Sequence, residues 1–130
     1  MIVIDASVFA PALGDDGPDG DLARGRLRDE ALVAPDLIYL EAQSVWRRQV
    51  AAKLMDPRRA QLAVDDLSVV PLRSVPHVRL LARCWELRAN LSPYDASYVA
   101  LAEALDTVLV TADRRLARSP GTRCPIEVLG

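Results

Sequence analysis

The sequence predicts an α/β fold with a mainly parallel sheet, because short buried strands alternate with helical segments along the chain. The opening run Ile2–Ile4 is aliphatic throughout, as is the run that ends near Thr111, and such runs are typical of parallel strands covered on both faces. The 130 residues, 51% of them hydrophobic and 26% charged, suffice for one packed core. We therefore expect a single domain, residues 1–130.

The first half of the chain is expected to hold one strand, Ile2–Ile4, followed by helices. Turn-forming residues predict an exposed loop at Gly14–Gly20. Pro35 fits the first turn of a helix, and aliphatic residues after it supply an apolar face. Helices are expected at Ala6–Leu13, around Asp21–Glu30, within Val33–Met55 and at Pro57–Asp66.

The second half contains the clearest helix start in the chain. Ser92 is placed as the N-cap, Pro93 as the first helical residue and Asp95 three residues after the cap, so a helix should run to about Leu105. Strands are expected at Leu67–Leu72, in the run ending near Thr111, and in the final segment PIEVL. Further helical segments are expected at Val75–Ala89 and Arg114–Arg118.

Charge and cysteine content exclude several classes of protein. The formal net charge is −2, so the whole molecule does not have the charge of a typical nucleic-acid binder. Cys84 and Cys124 lie far apart and outside any C-x-x-C spacing, so neither a disulfide framework nor a zinc site is indicated. There is no secretory signal pattern and no run of about twenty apolar residues, so we expect a cytoplasmic protein that does not span a membrane.

Two aspartates follow predicted buried strands directly. Asp5 comes after the first strand and Asp113 after the strand that ends near Thr111. Open α/β sheets bind their ligands beyond the carboxyl ends of the strands, so both acids are candidate site residues, with hydroxyls from Ser7 and Thr111 beside them. The alternative is that each aspartate only caps the helix that follows it.

Glu41 is predicted to lie on or beside the apolar stripe of its helix. Its neighbours three and four positions away are Leu37, Ile38, Ser44 and Val45. An unpaired buried carboxylate is costly, so Glu41 needs a hydrogen bond, a cation or a water-filled crevice. The alternative is a glutamate at the edge of the stripe, paired with a nearby arginine.

Asp95 also points toward apolar residues, because Tyr98, Val99 and Ala102 follow it at helical spacing. The alternative reading is that Asp95 is the reciprocal acid of a capping box with Ser92. Capping and metal binding are compatible roles for one side chain.

The chemistry of the site depends on whether these four acids converge. Two carboxylates about 5 Å apart repel each other by roughly 3 kcal/mol at an effective dielectric near 20, so a cation is required. Oxygen ligands without histidine or cysteine favour Mg²⁺ or Mn²⁺. Such an ion activates water and polarises phosphate, and no side chain is placed as a covalent nucleophile, so phosphodiester hydrolysis by a metal-activated water is the predicted reaction.

The motifs IVIDASV, SPYDASYVALA and VLVTADRRL, together with Glu41 in the second major helix, resemble the PIN-domain ribonucleases. The resemblance extends over nearly the whole chain, and it is closest to the VapC toxins of bacterial toxin–antitoxin pairs. It implies a PIN-like three-layer α/β/α sandwich with a mainly parallel, twisted sheet.

The resemblance also implies functional roles. Asp5, Glu41, Asp95 and Asp113 become the acidic quartet around Mg²⁺ or Mn²⁺, supported by Ser7 and Thr111. The implied protein is a dimeric, cytoplasmic endoribonuclease that cleaves structured RNA such as tRNA or rRNA. A cognate VapB-like antitoxin would hold it inactive, with its C-terminal segment in the groove of the toxin.

Arginines next to the acids are candidates for contact with RNA or antitoxin. Arg114, Arg115 and Arg118 follow Asp113, and Arg47 and Arg48 follow Glu41 in the same way. The alternative is that these side chains are simply solvated helix faces.

Two rival functions remain open at this point. A haloacid-dehalogenase-like phosphatase also begins with an aspartate after the first strand, but it needs a second aspartate where this chain has Ser7. A PIN-like module that binds RNA or protein without cleaving is the other rival, and it gives no reason to keep four mutually repelling carboxylates.

Overall fold

A computed structural model describes all residues, 1–130, and has a five-stranded sheet at its centre. The strands are β1 (Ile2–Ile4), β2 (Leu32–Pro35), β3 (Leu72–Val75), β4 (Leu109–Thr111) and β5 (Ile126–Val128). Their order is β3-β2-β1-β4-β5, and every neighbouring pair is parallel. The predicted α/β fold is confirmed, and the sheet is wholly parallel.

Seven α-helices connect and cover the strands. They are α1 (Ala6–Gly14), α2 (Pro18–Leu27), α3 (Ile38–Ala51), α4 (Pro57–Asp66), α5 (Leu81–Glu86), α6 (Pro93–Ala104) and α7 (Arg114–Arg118). Strands β2 and β3 are added in turn on one side of β1, and the chain then crosses the sheet to place β4 on the other side of β1. Because parallel crossovers are right-handed, α1–α4 cover one face and α5–α6 the other, which gives the predicted three layers.

The core lies on both faces of the two central strands. All three residues of β1 and all three of β4 are buried, as continuous apolar runs require. Trp46 is buried and its indole N–H donates to the carbonyl of Ala10 on α1 at 3.2 Å, so α3 is fixed against α1. Trp85, in contrast, is 68% exposed on α5.

The prediction for Pro35 was wrong. Pro35 does not open a helix; it is the last residue of β2, in register with Val75 of β3, and α3 begins only at Ile38. Proline lacks the N–H that a residue inside a strand donates to its neighbour, but at a strand end the next residue can donate instead. Here the N–H of Asp36 donates to the carbonyl of Val75 at 2.9 Å.

The predicted strand Leu67–Leu72 was also misplaced. Leu67 caps the end of α4, Val69 is exposed, and the strand begins only at Leu72. Strand β3 lies at the edge of the sheet with both middle residues exposed, so it needs no continuous apolar run. The helix predicted at Val75–Ala89 is shorter, with a 3₁₀ turn at Val78–Leu80 before α5.

The loop predicted at Gly14–Gly20 shrinks to three residues. Helix α1 includes Gly14 and α2 already starts at Pro18, a residue suited to the first helical position, instead of around Asp21. A side chain at Gly20 would collide with the backbone carbonyl of Asp15, so glycine permits this tight connection. No helix is both long and apolar enough to cross a membrane.

Candidate active site

The four predicted acids are all carried by segments that begin at the carboxyl edge of the sheet. Asp5 follows β1 and Asp113 follows β4, and these strands are neighbours at the point where the strand order reverses. Glu41 and Asp95 lie in the first turns of α3 and α6. Helix α3 begins just after β2, and α6 ends just before β4, so both helices start at this edge, the usual ligand site of such sheets.

Asp5 is held by a network of hydroxyl groups. Oδ1 accepts from the hydroxyl of Ser7 at 2.5 Å and from its backbone N–H at 3.1 Å, and Oδ2 accepts from the hydroxyl of Thr111 at 2.5 Å. The two hydroxyl oxygens are 3.2 Å apart. Burial nevertheless raises the pKa of Asp5 from its ordinary 3.8 to about 6, although these hydrogen bonds act to lower it and Asp95 adds to the rise.

Asp113 belongs to the same network. Its backbone N–H donates to Thr111 Oγ1 at 3.0 Å, and the N–H of Ala112 donates to Ser7 Oγ at 2.8 Å. Asp5 and Asp113 are also the N-caps of α1 and α7, so the predicted capping role is confirmed for both. One carboxylate oxygen of Asp113 accepts from the N–H of Arg115, and no side chain donates to the other.

Glu41 is half-buried, and its hydrogen-bond partner is on another helix. The hydroxyl of Tyr98 on α6 donates to Glu41 Oε1 at 2.5 Å. No arginine or lysine forms an ion pair with Glu41, so the alternative of an arginine partner is wrong. Burial raises the pKa of Glu41, the hydrogen bond from Tyr98 opposes that rise, and the charge of Asp95 adds to it.

Asp95 is likewise half-buried near other carboxylates. The hydroxyl of Ser92 accepts from its backbone N–H at 3.1 Å, which confirms the predicted N-cap of α6. Burial raises the pKa of Asp95, and the charge of Asp113 raises it further, whereas Arg115 lowers it. Asp95 therefore interacts with all three of the other predicted acids.

The acids share one edge and repel one another, but they do not form a closed cage. No three Asp, Glu, His or Cys side chains are arranged as a ready-made metal site. Asp5, Glu41 and Asp95 have raised pKa values and form no ion pair, so they leave negative charge that a cation would compensate. An oxygen-only donor set fits Mg²⁺ or Mn²⁺, and Mg²⁺ keeps several waters and uses one or two carboxylates directly.

Positive charge at this edge comes from the start of α7. Arg115 Nε lies 3.5 Å from Asp113 Oδ1, but its side chain is 92% exposed and so remains available to a ligand. Arg114 donates to the carbonyl of Gly130 at 2.9 Å. On α3, Arg48 donates to Ser44 Oγ and Arg47 is exposed.

Tyr98 is a site residue for which the sequence predicts no role. It appeared only as an apolar neighbour of Asp95, one helical turn away, and the partner of its hydroxyl could not be known. A tyrosine instead of a phenylalanine on a buried helix face is the available signal, because a buried hydroxyl requires a hydrogen-bond partner.

Comparisons with known proteins agree on one family. The PIN domain model matches residues 2–121. Ribonuclease VapC9 of Mycobacterium tuberculosis is 43% identical over 129 residues, which are 99% of this chain and 98% of the relative.

Solved structures give the same fold. VapC20 of M. tuberculosis, described as a sarcin-ricin loop cleaving toxin, superposes with a TM-score of 0.71 at 15% identity over 95% of this chain and 97% of that one. VapBC2 of Rickettsia felis, bound to a DNA fragment from its promoter, gives a TM-score of 0.69 at 16% identity and covers both chains fully.

Proposed function

The chain belongs to the PIN-domain family, among the VapC ribonucleases of toxin–antitoxin pairs, and on that premise we propose how it cleaves RNA and with which partners. It is an endoribonuclease toxin of the VapBC type. In our proposal it depends on Mg²⁺ or Mn²⁺ and cleaves structured RNA of the tRNA or rRNA class. The family assignment removes the haloacid-dehalogenase-like alternative.

The observation that carries the metal proposal is uncompensated negative charge. Asp5, Glu41 and Asp95 are buried or half-buried, each has a raised pKa because of burial, and none forms an ion pair. Natural proteins pair or coordinate buried charges, and a divalent cation would satisfy all of these acids at once. We propose Asp5, Glu41, Asp95 and Asp113 as the residues that hold it, directly or through water.

The protein groups prepare the site for hydrolysis. A divalent cation bound there would lower the pKa of a water and withdraw charge from a phosphate oxygen. Ser7 and Thr111 fix both oxygens of Asp5, so this carboxylate cannot rotate away from the edge. The only histidine, His77, accepts from the N–H of Leu37 at the start of α3, and no step requires it as a base.

The arginines after the last acid supply the contact with the RNA backbone. Arg115 is exposed next to Asp113, and Arg114 precedes it at the same rim. Guanidinium groups bind phosphate oxygens in a bidentate manner, so these side chains would draw a phosphodiester towards the acidic centre. A low net charge is compatible with this arrangement, because the positive charge needs to be local only.

The proposed partners are RNA, a cognate VapB-like antitoxin and a second copy of this chain. The antitoxin would lie in the groove at the acidic edge and place an arginine among the carboxylates, where neither Glu41 nor Asp95 forms an ion pair. Exposed apolar residues on α5 and at the start of α6 support the dimer. We propose that the protein acts in the cytoplasm.

Cleavage of RNA by protein freed of antitoxin tests the proposal. We expect discrete fragments from total RNA in Mn²⁺ or Mg²⁺, no fragments in EDTA, and at least a hundredfold lower rate for Asp5→Asn. Asparagine still caps α1 but removes the buried charge. Gel separation of the fragments over time gives the rates.

The matched control is Asp29→Asn. Asp29 is exposed and has a left-handed φ of 61°, a conformation that asparagine also accepts, so the variant should cleave like the wild type. Binding of RNA without metal-dependent cleavage would instead support the non-cleaving PIN-like module, and equal activity of Asp5→Asn would remove the acidic centre from the mechanism.

A further inference from the structure

Tyr98 is a core residue with one polar atom, and that atom reaches the acidic site. Only 1% of its surface is exposed, and its ring packs in the hydrophobic core. Its hydroxyl donates to Glu41 Oε1 at 2.5 Å, and Glu41 is its only hydrogen-bond partner. The contact joins α6, on one face of the sheet, to α3, on the other.

The direction of this hydrogen bond is fixed by its surroundings. An ionised carboxylate has no proton to donate, so Glu41 Oε1 accepts and the hydroxyl of Tyr98 donates. A phenylalanine would fill the same space in the core, so packing alone does not explain the tyrosine.

Glu41 has this one contact alone, whereas Asp5 is held by several. Asp5 is held by two hydroxyls and a backbone N–H, and Asp113 by a backbone N–H. Glu41 has a longer side chain with three rotatable bonds, and its only partner is Tyr98. Without that hydroxyl the carboxylate is free to turn towards solvent, at the cost of the geometry that a ligand needs.

We propose that Tyr98 is a positioning residue: its hydroxyl holds Glu41 Oε1 and thereby keeps the carboxylate at the acidic edge, where Glu41 would help to hold a divalent cation. This inference rests on the proposed function, because Glu41 requires orientation only if it serves a metal. Tyr98 follows Asp95 by one helical turn, so the same helix that supplies one acid also sets the position of another.

Metal binding by Tyr98→Phe tests the inference independently of RNA cleavage. We expect the dissociation constant for Mn²⁺, measured by isothermal titration calorimetry on the full chain, to rise about 10- to 100-fold. Added Mn²⁺ should correspondingly raise the Tm of Tyr98→Phe less than that of the wild type. Saturating Mn²⁺ should restore most of the cleavage rate, because the residue positions a ligand and does not react.

Tyr39→Phe is the matched control. Tyr39 is partly buried on α3 and donates no hydrogen bond, so loss of its hydroxyl should leave Mn²⁺ affinity unchanged. A double-mutant cycle isolates the pair: in a Glu41→Gln background, Tyr98→Phe should produce no further loss of Mn²⁺ affinity. A loss of equal size in both backgrounds would overturn the inference, since Tyr98 would then act without Glu41.

The outcomes separate this inference from the proposed function. If the wild type binds no Mn²⁺ and cleaves RNA in EDTA, the proposed function fails. If the wild type binds Mn²⁺ and a folded Tyr98→Phe binds it equally well, only the positioning role fails. If Tyr98→Phe does not fold, Glu41→Asp is the substitute variant, because its shorter side chain moves the carboxylate away from the hydroxyl and leaves the core intact. Unchanged Mn²⁺ affinity in Glu41→Asp would overturn the inference.

Discussion

Capping and burial act on the ionisation of Asp5 in opposite directions. As an N-cap it is favoured in the charged form, and it accepts three hydrogen bonds. Burial outweighs these contacts and raises its pKa from 3.8 to about 6 in the metal-free protein. At neutral pH the folded chain thus keeps an unfavourable charge in place, which a bound cation would relieve.

The stability of metal-free protein should fall as pH rises through this range. The folded pKa of Asp5 exceeds the unfolded value, so the folded state binds more protons between pH 3.8 and about 6, and ionisation destabilises it. At about 1.4 kcal/mol per pKa unit, the free energy of unfolding of the wild type should fall by about 2 kcal/mol relative to Asp5→Asn between about pH 4 and about pH 7.

Urea unfolding in EDTA at several pH values measures this difference. Saturating Mn²⁺ should reverse the trend, because deprotonated acids bind the ion and the wild type then gains stability with rising pH. Parallel pH profiles for the wild type and Asp5→Asn in EDTA would show that Asp5 is not the destabilising charge.

At the scale of elements, two of the four acids lie in the first turns of helices. Glu41 and Asp95 lie where α3 and α6 begin, and the positive end of a helix dipole favours a carboxylate there. Helix α3 has no side-chain cap, but the Ser92 cap that starts α6 serves stability and also fixes where Asp95 lies.

Two N-cap substitutions separate these effects. Ser92→Ala, at the start of α6, and Asp56→Ala, at the start of α4, each remove a side chain that accepts from a helix N–H, so each should cost about 1 kcal/mol of unfolding free energy. Only Ser92→Ala should also weaken Mn²⁺ binding, by several-fold, because it loosens the turn that carries Asp95.

Chemical unfolding and Mn²⁺ calorimetry on the same samples provide both numbers. Equal Mn²⁺ affinity in the two variants would mean that the cap of α6 contributes to folding alone.

Elements with local signals were predicted well, and those defined by their neighbours were not. Helices α4, α6 and α7 and strand β1 carry caps, prolines or apolar runs, and all were placed within a residue or two. Strands β2 and β3 were missed or misplaced. Pro35 suits a strand end as well as a helix start, and β3 is an edge strand whose polar residues give no periodic signal.

At the scale of the whole molecule, one apolar surface lacks a partner. Leu81 and Trp85 lie four residues apart on α5, and Tyr94 lies at the start of α6, and all three are well exposed. Leu37 and Pro93 line the same depression as Leu81 and Tyr94. A contiguous exposed apolar patch is typical of a protein interface, which is why we assign the proposed dimer contact to it.

Leu81→Glu should convert the proposed dimer to a monomer. A charge in the centre of an apolar interface is costly to desolvate, so the dissociation constant should rise at least a hundredfold. Leu62→Glu on α4 is the control, since Leu62 is 59% exposed and Leu81 57%, but Leu62 lies on another face. Sedimentation velocity at several concentrations distinguishes the states, and a monomeric wild type would exclude the dimer.

The sequence by itself determined the α/β class, the parallel sheet, the caps of α6 and α7, and the four acids as candidates. These features depend on local rules: apolar runs make buried strands, and Asp or Ser before a helix makes a cap.

Only the tertiary structure decided which groups meet. The hydroxyl of Thr111 reaches Asp5 because β1 and β4 are neighbours, whereas the contact of Ser7 with Asp5 is local. Tyr98 reaches Glu41 because α6 and α3 start at one edge of the sheet. Sequence spacing fixes the face of an element on which a residue lies. Which distant residue it contacts, 57 or more positions along the chain, depends on the strand order and on which helix faces the sheet brings together.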